Sequence, residues 1–256
     1  MMRFRSAGFS RDEAAATRGT FAIAAREAMA FARQGMLLRH DVAHPVIPQG
    51  VAAGDDLVVF LHGLFATAGV LRPLRAAIGR HVFPDGRLHT AALNYFPGPG
   101  VATIAERLRE LVAPVPRGAR IHLVGHSLGG VVARYFALEA DDARVVQTIS
   151  LATPFAGIAS AAWLGLETGR DLHPRSAVLR RIVVHPDAAR LPHLSIVAGA
   201  DRLVETPVAH ALPGGDVRIM EGRGHNTLLF DDEVARAVEA RILERRRLCR
   251  EGQGGR

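Results

Sequence analysis

Short apolar runs alternate with amphipathic segments along most of this chain. Six runs have the length and composition of buried strands, at residues 56–61, 88–95, 121–124, 145–151, 194–197 and 217–220. Between and after them, helical spacing of apolar residues predicts helices over residues 67–80, 101–115, 128–139 and 227–247. This alternation predicts an α/β fold, with a mostly parallel central sheet that carries helices on both faces and is joined by right-handed crossovers.

The alternation is interrupted once, over residues 155–190. Where a simple β-α repeat needs only a short loop, this stretch holds several Gly and Ala residues, the single Trp163 and a predicted short helix at 176–182. The sequence therefore predicts a small cap or lid insertion over the carboxyl edge of the sheet.

An Ala-rich segment at residues 12–38 precedes the first strand, and its pattern is that of an amphipathic helix. At about 100° per residue one broad face collects Phe21, Ala24, Ala25, Ala28, Met29, Phe31, Ala32 and Met36. The opposite face collects Arg26, Glu27, Arg33 and Gln34. Two interpretations remain open: the apolar face packs on the domain or on a second copy, or the helix lies on a membrane surface.

These patterns divide the chain into three parts. Residues 1–50 form the amphipathic helix and a linker with turn-forming Pro45, Pro48 and Gly50, which leaves room for a short edge strand. Residues 51–247 form one α/β domain, as a chain of 256 residues allows. The Arg- and Gly-rich residues 248–256 are predicted to be a flexible tail.

Composition narrows the possible partners. All 32 basic residues are Arg, and they are scattered along the chain without aromatic residues between them, which argues against nucleic-acid binding despite a net charge of +7. Cys249 is the single cysteine, so neither an internal disulfide nor a CxxC metal site is expected. No apolar stretch has the length of a membrane span or the pattern of a signal peptide, and we expect a cytoplasmic protein, with peripheral membrane contact through residues 12–38 as an alternative.

The most informative stretch is residues 119–132, ARIHLVGHSLGGVV. Ser127 lies on the turn between a buried strand and a helix, and Gly125 and Gly129 flank it where a tight turn leaves no room for side chains. A serine hydroxyl held at a helix N-terminus is close to unpaired N–H groups that favour developing negative charge.

With this turn, GHSLGG resembles the nucleophile elbow of the α/β-hydrolase family, and most of all that of the bacterial lipases and related esterases; the resemblance covers about residues 55–245. It implies that Ser127 is a nucleophile and that its partners follow in the order Asp, then His, each just beyond a strand. Asp201 and His225 fit those positions. Asp187 and Asp216 compete with Asp201, and His210 competes with His225.

The same resemblance implies where an oxyanion would be held. The backbone N–H groups of Leu128 and of Leu64, in the sequence LHGLF, are the expected donors, with Phe65 as the alternative to Leu64. His62 is expected to brace this loop and His126 to pack beside the serine. Phe65, Phe155 and Trp163 are the candidate substrate-binding side chains.

These residues together predict a serine carboxylic-ester hydrolase, lipase- or esterase-like, that acts on a small-molecule lipid or acyl ester without metal or organic cofactor. An acyltransferase or thioesterase would use the same three residues, and a non-catalytic protein that binds lipid or a partner is a further alternative. The sequence leaves the acyl chain length, the alcohol and the oligomeric state open.

Overall fold

A seven-stranded sheet forms the centre of the protein in a computed structural model, which describes residues 11–42, 46, 50–78, 82–83, 86–204 and 206–253. The strands are β1 (Asp56–Leu61), β2 (Val82–Phe83), β3 (Gly86–Leu93), β4 (Arg120–His126), β5 (Val145–Leu151), β6 (His193–Ala198) and β7 (Asp216–Met220). Their order across the sheet is β2-β3-β1-β4-β5-β6-β7. All neighbouring strands are parallel except the short edge strand β2, which runs antiparallel to β3.

Helices cover the sheet on both sides. They are α1 (Arg11–Leu37), α2 (Arg72–Ile78), α3 (Val101–Val112), α4 (Leu128–Glu139), α5 (Glu167–Asp171), α6 (Ala177–Val184) and α7 (Asp232–Gln253). On β1, Leu57 and Leu61 face the core under α3, α4 and α6, whereas Val58 and Phe60 face the core under α2 and α7. This two-sided core confirms the predicted α/β class, because a strand buried on both faces needs helices on both faces.

The predicted elements are present with shifted ends. The segment predicted as one helix at residues 67–80 is a short 3₁₀ turn, Ala68–Leu71, followed by α2, and the last predicted helix likewise divides into Thr227–Phe230 and α7. The predicted flexible tail is helical as far as Gln253, with an Arg247–Glu251 ion pair one turn apart at 3.0 Å. In the predicted linker Val46 pairs with Ala92; its neighbours, like residues 1–10 and 254–256, lie outside the described residues.

The insertion after β5 is attached to the body of the domain through two carboxylates of α5. Glu167 accepts a hydrogen bond from the Gly100 N–H at 2.9 Å, and Asp171 accepts one from the Val101 N–H at 2.7 Å. These N–H groups belong to the start of α3, where no intrahelical acceptor is available to them. The insertion is thus held over the carboxyl edge of the sheet.

Helix α1 packs on the domain with the face opposite to the one predicted. Its inward residues are Ile23, Glu27, Ala30, Gln34 and Leu37, all fully or partly buried. The apolar side chains of the predicted packing face point to solvent: Phe21, Met29, Phe31 and Met36 are 76, 64, 68 and 64% exposed. The interpretation that the apolar face packs on the domain is therefore wrong.

Candidate active site

Ser127 occupies a strained turn between β4 and α4. Its backbone has φ 53° and ψ −121°, a conformation that costs a non-glycine residue roughly 1–3 kcal/mol and persists only where the surroundings enforce it. A Cβ added at Gly125 would lie 2.3 Å from the backbone of Gly129, and one added at Gly129 would lie 2.2 Å from the carbonyl oxygen of Leu61. The two glycines are required because strand, helix and the neighbouring strand β1 approach too closely for any side chain.

The loop after β1 lies directly against this turn. A Cβ at Gly63 would be 3.2 Å from the Cβ of Ser127, so the backbone at residues 63 and 64 passes beside the serine. Leu64 is partly buried, and Leu128 is buried as the first residue of α4. The two predicted oxyanion donors therefore belong to the two segments that meet at Ser127.

His62 braces this loop, as the sequence predicts. Its Nδ1–H donates to the carbonyl of Gly63 at 2.8 Å, and its Nε2 accepts from the Tyr95 N–H at 3.2 Å. The ring also stacks on Tyr95, whose hydroxyl donates to the His62 carbonyl. Burial lowers the pKa of His62 to about 4, and both ring nitrogens are satisfied in the neutral form.

Asp201 and His225 meet at the same edge of the sheet, beyond the ends of β6 and β7. The Nδ1–H of His225 donates to Asp201 Oδ2 at 2.7 Å. The other carboxylate oxygen of Asp201 accepts the backbone N–H groups of Leu203 at 2.9 Å and Val204 at 3.2 Å. Asp201 is thereby fixed in one orientation, and it fixes His225 with Nδ1 protonated and Nε2 available to accept a proton.

The competing carboxylates lie elsewhere. Asp187 forms a surface ion pair with Arg190 at 3.3 Å, and Asp216 pairs with Arg241 at 2.7 Å while 66% of its side chain stays exposed. His210 ends the 3₁₀ turn Pro207–His210 and lines a small cavity beside Asp201. The residue whose ring bonds to Asp201 and faces the serine's cavity is His225.

His126, next to the serine, packs beside it as predicted and also forms a hydrogen bond to the loop that carries His225. Its Nε2–H donates to the backbone carbonyl of His225 at 3.1 Å, and the two rings meet edge to face with centroids 4.8 Å apart. Burial, and secondarily the nearby His225, lowers the pKa of His126 to about 3. A neutral His126 thus ties the loop that carries His225 to the turn that carries Ser127.

Ser127 and His225 line one cavity of 520 Å³. Among the described residues no hydrogen bond joins their side chains; hydrogen bonds between catalytic groups are often long before substrate binds and shorten when it does. Most of the cavity wall is apolar, with Phe31, Leu38, Leu64, Phe65, Ile158, Ala161, Leu164, Leu172 and Leu203. The arrangement is suited to an apolar group placed beside a serine hydroxyl.

Of the three predicted substrate-binding side chains, the structure brings one to the cavity. Phe65 lines it and is 56% exposed at its mouth. Phe155 is buried in the core, edge to face with the ring of His193 at a centroid distance of 5.3 Å. Trp163 is 90% exposed on the insertion and is not part of the cavity wall.

Helix α1 contributes to the cavity, which the sequence did not predict. Phe31, Gln34, Gly35 and the adjoining Leu38 line the cavity, and Glu27 contacts the residues that follow His225. The helical periodicity shows that these residues share a helix, but nothing local indicates that the helix borders the cavity.

The described residues contain no group of three or more His, Cys, Asp or Glu side chains placed to hold a metal ion. In the same part of the chain, every helix is too short or too polar to cross a membrane.

The fold and the serine turn define the class of this protein, the α/β-hydrolases. Solved structures agree. The mature lipase BlEst2 of Bacillus licheniformis superposes with a TM-score of 0.57 at 15% identity, over 78% of this chain and 96% of that one. Est1E of Butyrivibrio proteoclasticus superposes with a TM-score of 0.54 at 17% identity, over 78% of this chain and 92% of that one. A thermophilic esterase of Thermogutta terrifontis superposes with a TM-score of 0.53 at 15% identity, over 79% of this chain and 93% of that one.

Within this class the chain belongs to the family described as "Putative serine esterase (DUF676)", whose sequence profile matches residues 52–182, just over half of the chain. The match contains Ser127 and the loop after β1 and ends before Asp201 and His225. No curated protein sequence matches this chain.

Proposed function

We propose that this protein is a serine carboxylic-ester hydrolase whose triad is Ser127, His225 and Asp201. The observation that carries the proposal is the 2.7 Å bond between Asp201 and His225, together with the cavity that His225 and the strained Ser127 both line. A serine hydroxyl needs an adjacent base, and the base needs an orienting group. The family assignment and the esterase and lipase names of the structural neighbours support the same reaction.

The reaction follows from the roles of these groups. Ser127 Oγ attacks the ester carbonyl carbon while His225 Nε2 takes its proton, and the backbone N–H groups of Leu64 and Leu128 stabilise the oxyanion. When the tetrahedral intermediate collapses, His225 returns the proton to the leaving alcohol and an acyl-enzyme remains. Water, deprotonated by His225, then attacks the acyl carbonyl, and the acid leaves as the proton returns to Ser127. Asp201 stabilises the imidazolium at each stage.

The apolar cavity favours an acyl ester of lipid character. Its 520 Å³ volume and its wall of aliphatic and aromatic side chains fit a medium-length acyl chain better than a charged or sugar-like group. Phe65 lies at the mouth, next to the residues proposed to hold the oxyanion, and is the side chain we propose to contact the acyl chain first.

Hydrolysis of p-nitrophenyl esters from acetate to palmitate tests the proposal. We expect a rate optimum at intermediate chain length, because short chains leave most of the apolar wall uncovered and the longest exceed the cavity. A fluorophosphonate probe should label the protein stoichiometrically, with the adduct located on Ser127 by peptide mass spectrometry. A folded protein that neither hydrolyses any ester nor reacts with the probe would contradict the proposal, and a product formed mainly with added alcohol would identify an acyltransferase.

We also propose that the outward face of α1 contacts a lipid surface. Phe21, Met29 and Met36 are exposed on this face, and Phe31 both belongs to it and lines the cavity. Phe65, Leu164 and Leu203 continue the apolar surface around the cavity mouth, where they are 56, 45 and 57% exposed. Exposed apolar area of this extent, continuous with the opening, would place the cavity against the bilayer from which an acyl ester is drawn.

The variant Phe21→Gln/Met29→Gln/Met36→Gln is expected to partition into phosphatidylglycerol vesicles at least about tenfold more weakly than wild type, since three apolar side chains no longer leave water. Vesicle sedimentation measures this. Substitutions are preferable to deletion of α1, which would also remove Glu27 and Phe31 from the site.

Val184→Gln is the matched control, because Val184 is 73% exposed on α6. It should bind vesicles like wild type. If the wild-type protein does not bind vesicles but forms a dimer, and the triple variant is a monomer, the outward face of α1 is an interface between copies and the membrane proposal is wrong.

A further inference from the structure

Glu27 reaches from the inward face of α1 to the residues that immediately follow His225. One carboxylate oxygen accepts the backbone N–H of Asn226 at 2.7 Å and its side-chain amide at 2.9 Å. The other accepts the Thr227 hydroxyl at 2.7 Å and the Thr227 N–H at 3.1 Å. Four donors from two residues therefore converge on a single carboxylate, and hydrogen bonds to an ionised acceptor are among the strongest in proteins.

Gly224 makes this approach possible. A Cβ at residue 224 would lie 2.4 Å from a carboxylate oxygen of Glu27 and 2.8 Å from its carboxyl carbon. The absence of a side chain at Gly224, just before His225, thus leaves room for the carboxylate of Glu27. Any side chain at residue 224 would push Glu27 away from Asn226 and Thr227.

The end of α1 is itself fixed to the domain, so Glu27 is held by a rigid element. The Thr67 hydroxyl lies 3.1 Å from the carbonyl oxygen of Leu38 and 3.3 Å from that of His40. A Cβ at Gly69 would lie 2.3 Å from the carbonyl oxygen of Leu37, which shows how closely the chain passes there. Further along the helix from Glu27, the Arg33 guanidinium lies over the ring of Phe230, 4.9 Å from its centroid.

His225 is consequently restrained from three directions. Asp201 holds its ring nitrogen, His126 holds its backbone carbonyl, and Glu27 holds the two residues that follow. The first contact comes from a member of the proposed triad, and the second comes from the residue before Ser127. The third comes from a helix that lies outside the matched family region of residues 52–182.

We infer that Glu27 is a positioning residue for His225, which makes α1 a working part of the active site. The inference rests on the proposed function for its catalytic consequence. Without the carboxylate, the N–H groups of residues 226 and 227 lose their acceptors, and the backbone that carries His225 gains freedom to move. Small displacements of a general base reduce the rate of the chemical step more than they reduce substrate binding.

The test compares Glu27→Gln and Glu27→Ala with wild type in the full-length protein. Glutamine keeps one acceptor oxygen but places an amide NH₂ group against hydrogen-bond donors, so we expect Glu27→Gln to lower kcat about 10-fold. Alanine removes both acceptors, and we expect Glu27→Ala to lower kcat about 100-fold. In both variants KM should change less than about threefold. Proton NMR supplies a readout independent of turnover. The strongly deshielded Nδ1 proton that His225 shares with Asp201 should be present in wild type and broadened or lost in both variants.

Two matched controls separate positioning from general effects. Arg26→Gln changes an exposed side chain of the same helix, and Asp55→Ala removes a carboxylate that accepts the N–H groups of Ala52 and Arg87 before the start of β1, away from the cavity. Both should retain the deshielded proton and a kcat within about threefold of wild type.

The inference would be overturned if folded Glu27→Ala kept both kcat and the His225 resonance, or if Asp55→Ala lost them equally. A wild type inactive on every ester, whose resonance still depends on Glu27, would instead remove the proposed function while Glu27 remains the positioning group.

Discussion

Replacing Ser127 with alanine is expected to lower kcat for ester hydrolysis by about 10⁵- to 10⁶-fold, the scale found when the nucleophile of a serine triad is removed. Two serines line this cavity, and Ser127 is the one on the strained turn beside the proposed oxyanion donors, whereas Ser160 lies on the insertion. The residual rate would come from the oxyanion donors and from substrate binding. Steady-state assays with the best p-nitrophenyl ester measure the loss.

The fold should survive this substitution. Alanine tolerates φ 53° about as poorly as serine does, and removing one oxygen at the cavity surface leaves the close contacts of Gly125 and Gly129 unchanged. The melting temperature is therefore expected to stay within a few degrees of wild type, as circular dichroism would show. Ser160→Ala, at an exposed serine bordering the same cavity, is the control and should retain activity. Equal activity of Ser127→Ala and wild type would remove Ser127 from the mechanism.

Asp201→Asn is expected to lower kcat by about 10⁴-fold with little change in KM. The reason lies in the backbone around residue 201. The N–H groups of Leu203 and Val204 require an acceptor, so they hold the amide oxygen of the introduced asparagine and turn its NH₂ toward His225 Nδ1. His225 must then accept at Nδ1 and carry its proton at Nε2, which is the wrong tautomer for a base that faces the serine.

The controls for this prediction are Asp187→Asn and Asp216→Asn, the two carboxylates that compete with Asp201 in the sequence. Both lie in surface ion pairs, and both variants should keep nearly full activity. Proton NMR should also show the deshielded His225 proton in these controls and not in Asp201→Asn. An inactive Asp216→Asn beside an active Asp201→Asn would reverse the assignment.

The sequence contained enough local information to predict the fold and the position of each triad candidate. The serine turn could be predicted from the small residues at 125 and 129, and buried strands bounded by turns indicate where the sheet ends. Asp201 and His225 could be predicted because the family resemblance implies their order along the chain and both closely follow buried strands. Phe155 could not be placed, since an apolar residue after a strand is equally suited to the core, where the structure has it.

The periodicity of apolar residues could not predict which face of α1 packs on the domain. A hydrophobic wheel assumes that apolar residues face the protein, but Glu27 and Gln34 take the inward face here while Phe21 and Met29 are exposed. A partly buried Glu27 is tolerated because its carboxylate accepts four hydrogen bonds, all of them from Asn226 and Thr227. Local sequence carries no sign of partners that distant.

The bond between Glu27 and Asn226 joins residues 199 positions apart, which bears on when the site is completed during biosynthesis. Synthesis delivers α1 first, then the serine turn, and the Asp201 and His225 loops near the end. Contacts so far apart in sequence are late and entropically expensive to form. A nascent chain would therefore carry the serine turn before His225, its proposed base, has been synthesised. Reactivity toward esters would begin only when the loop that carries His225 has folded against α1.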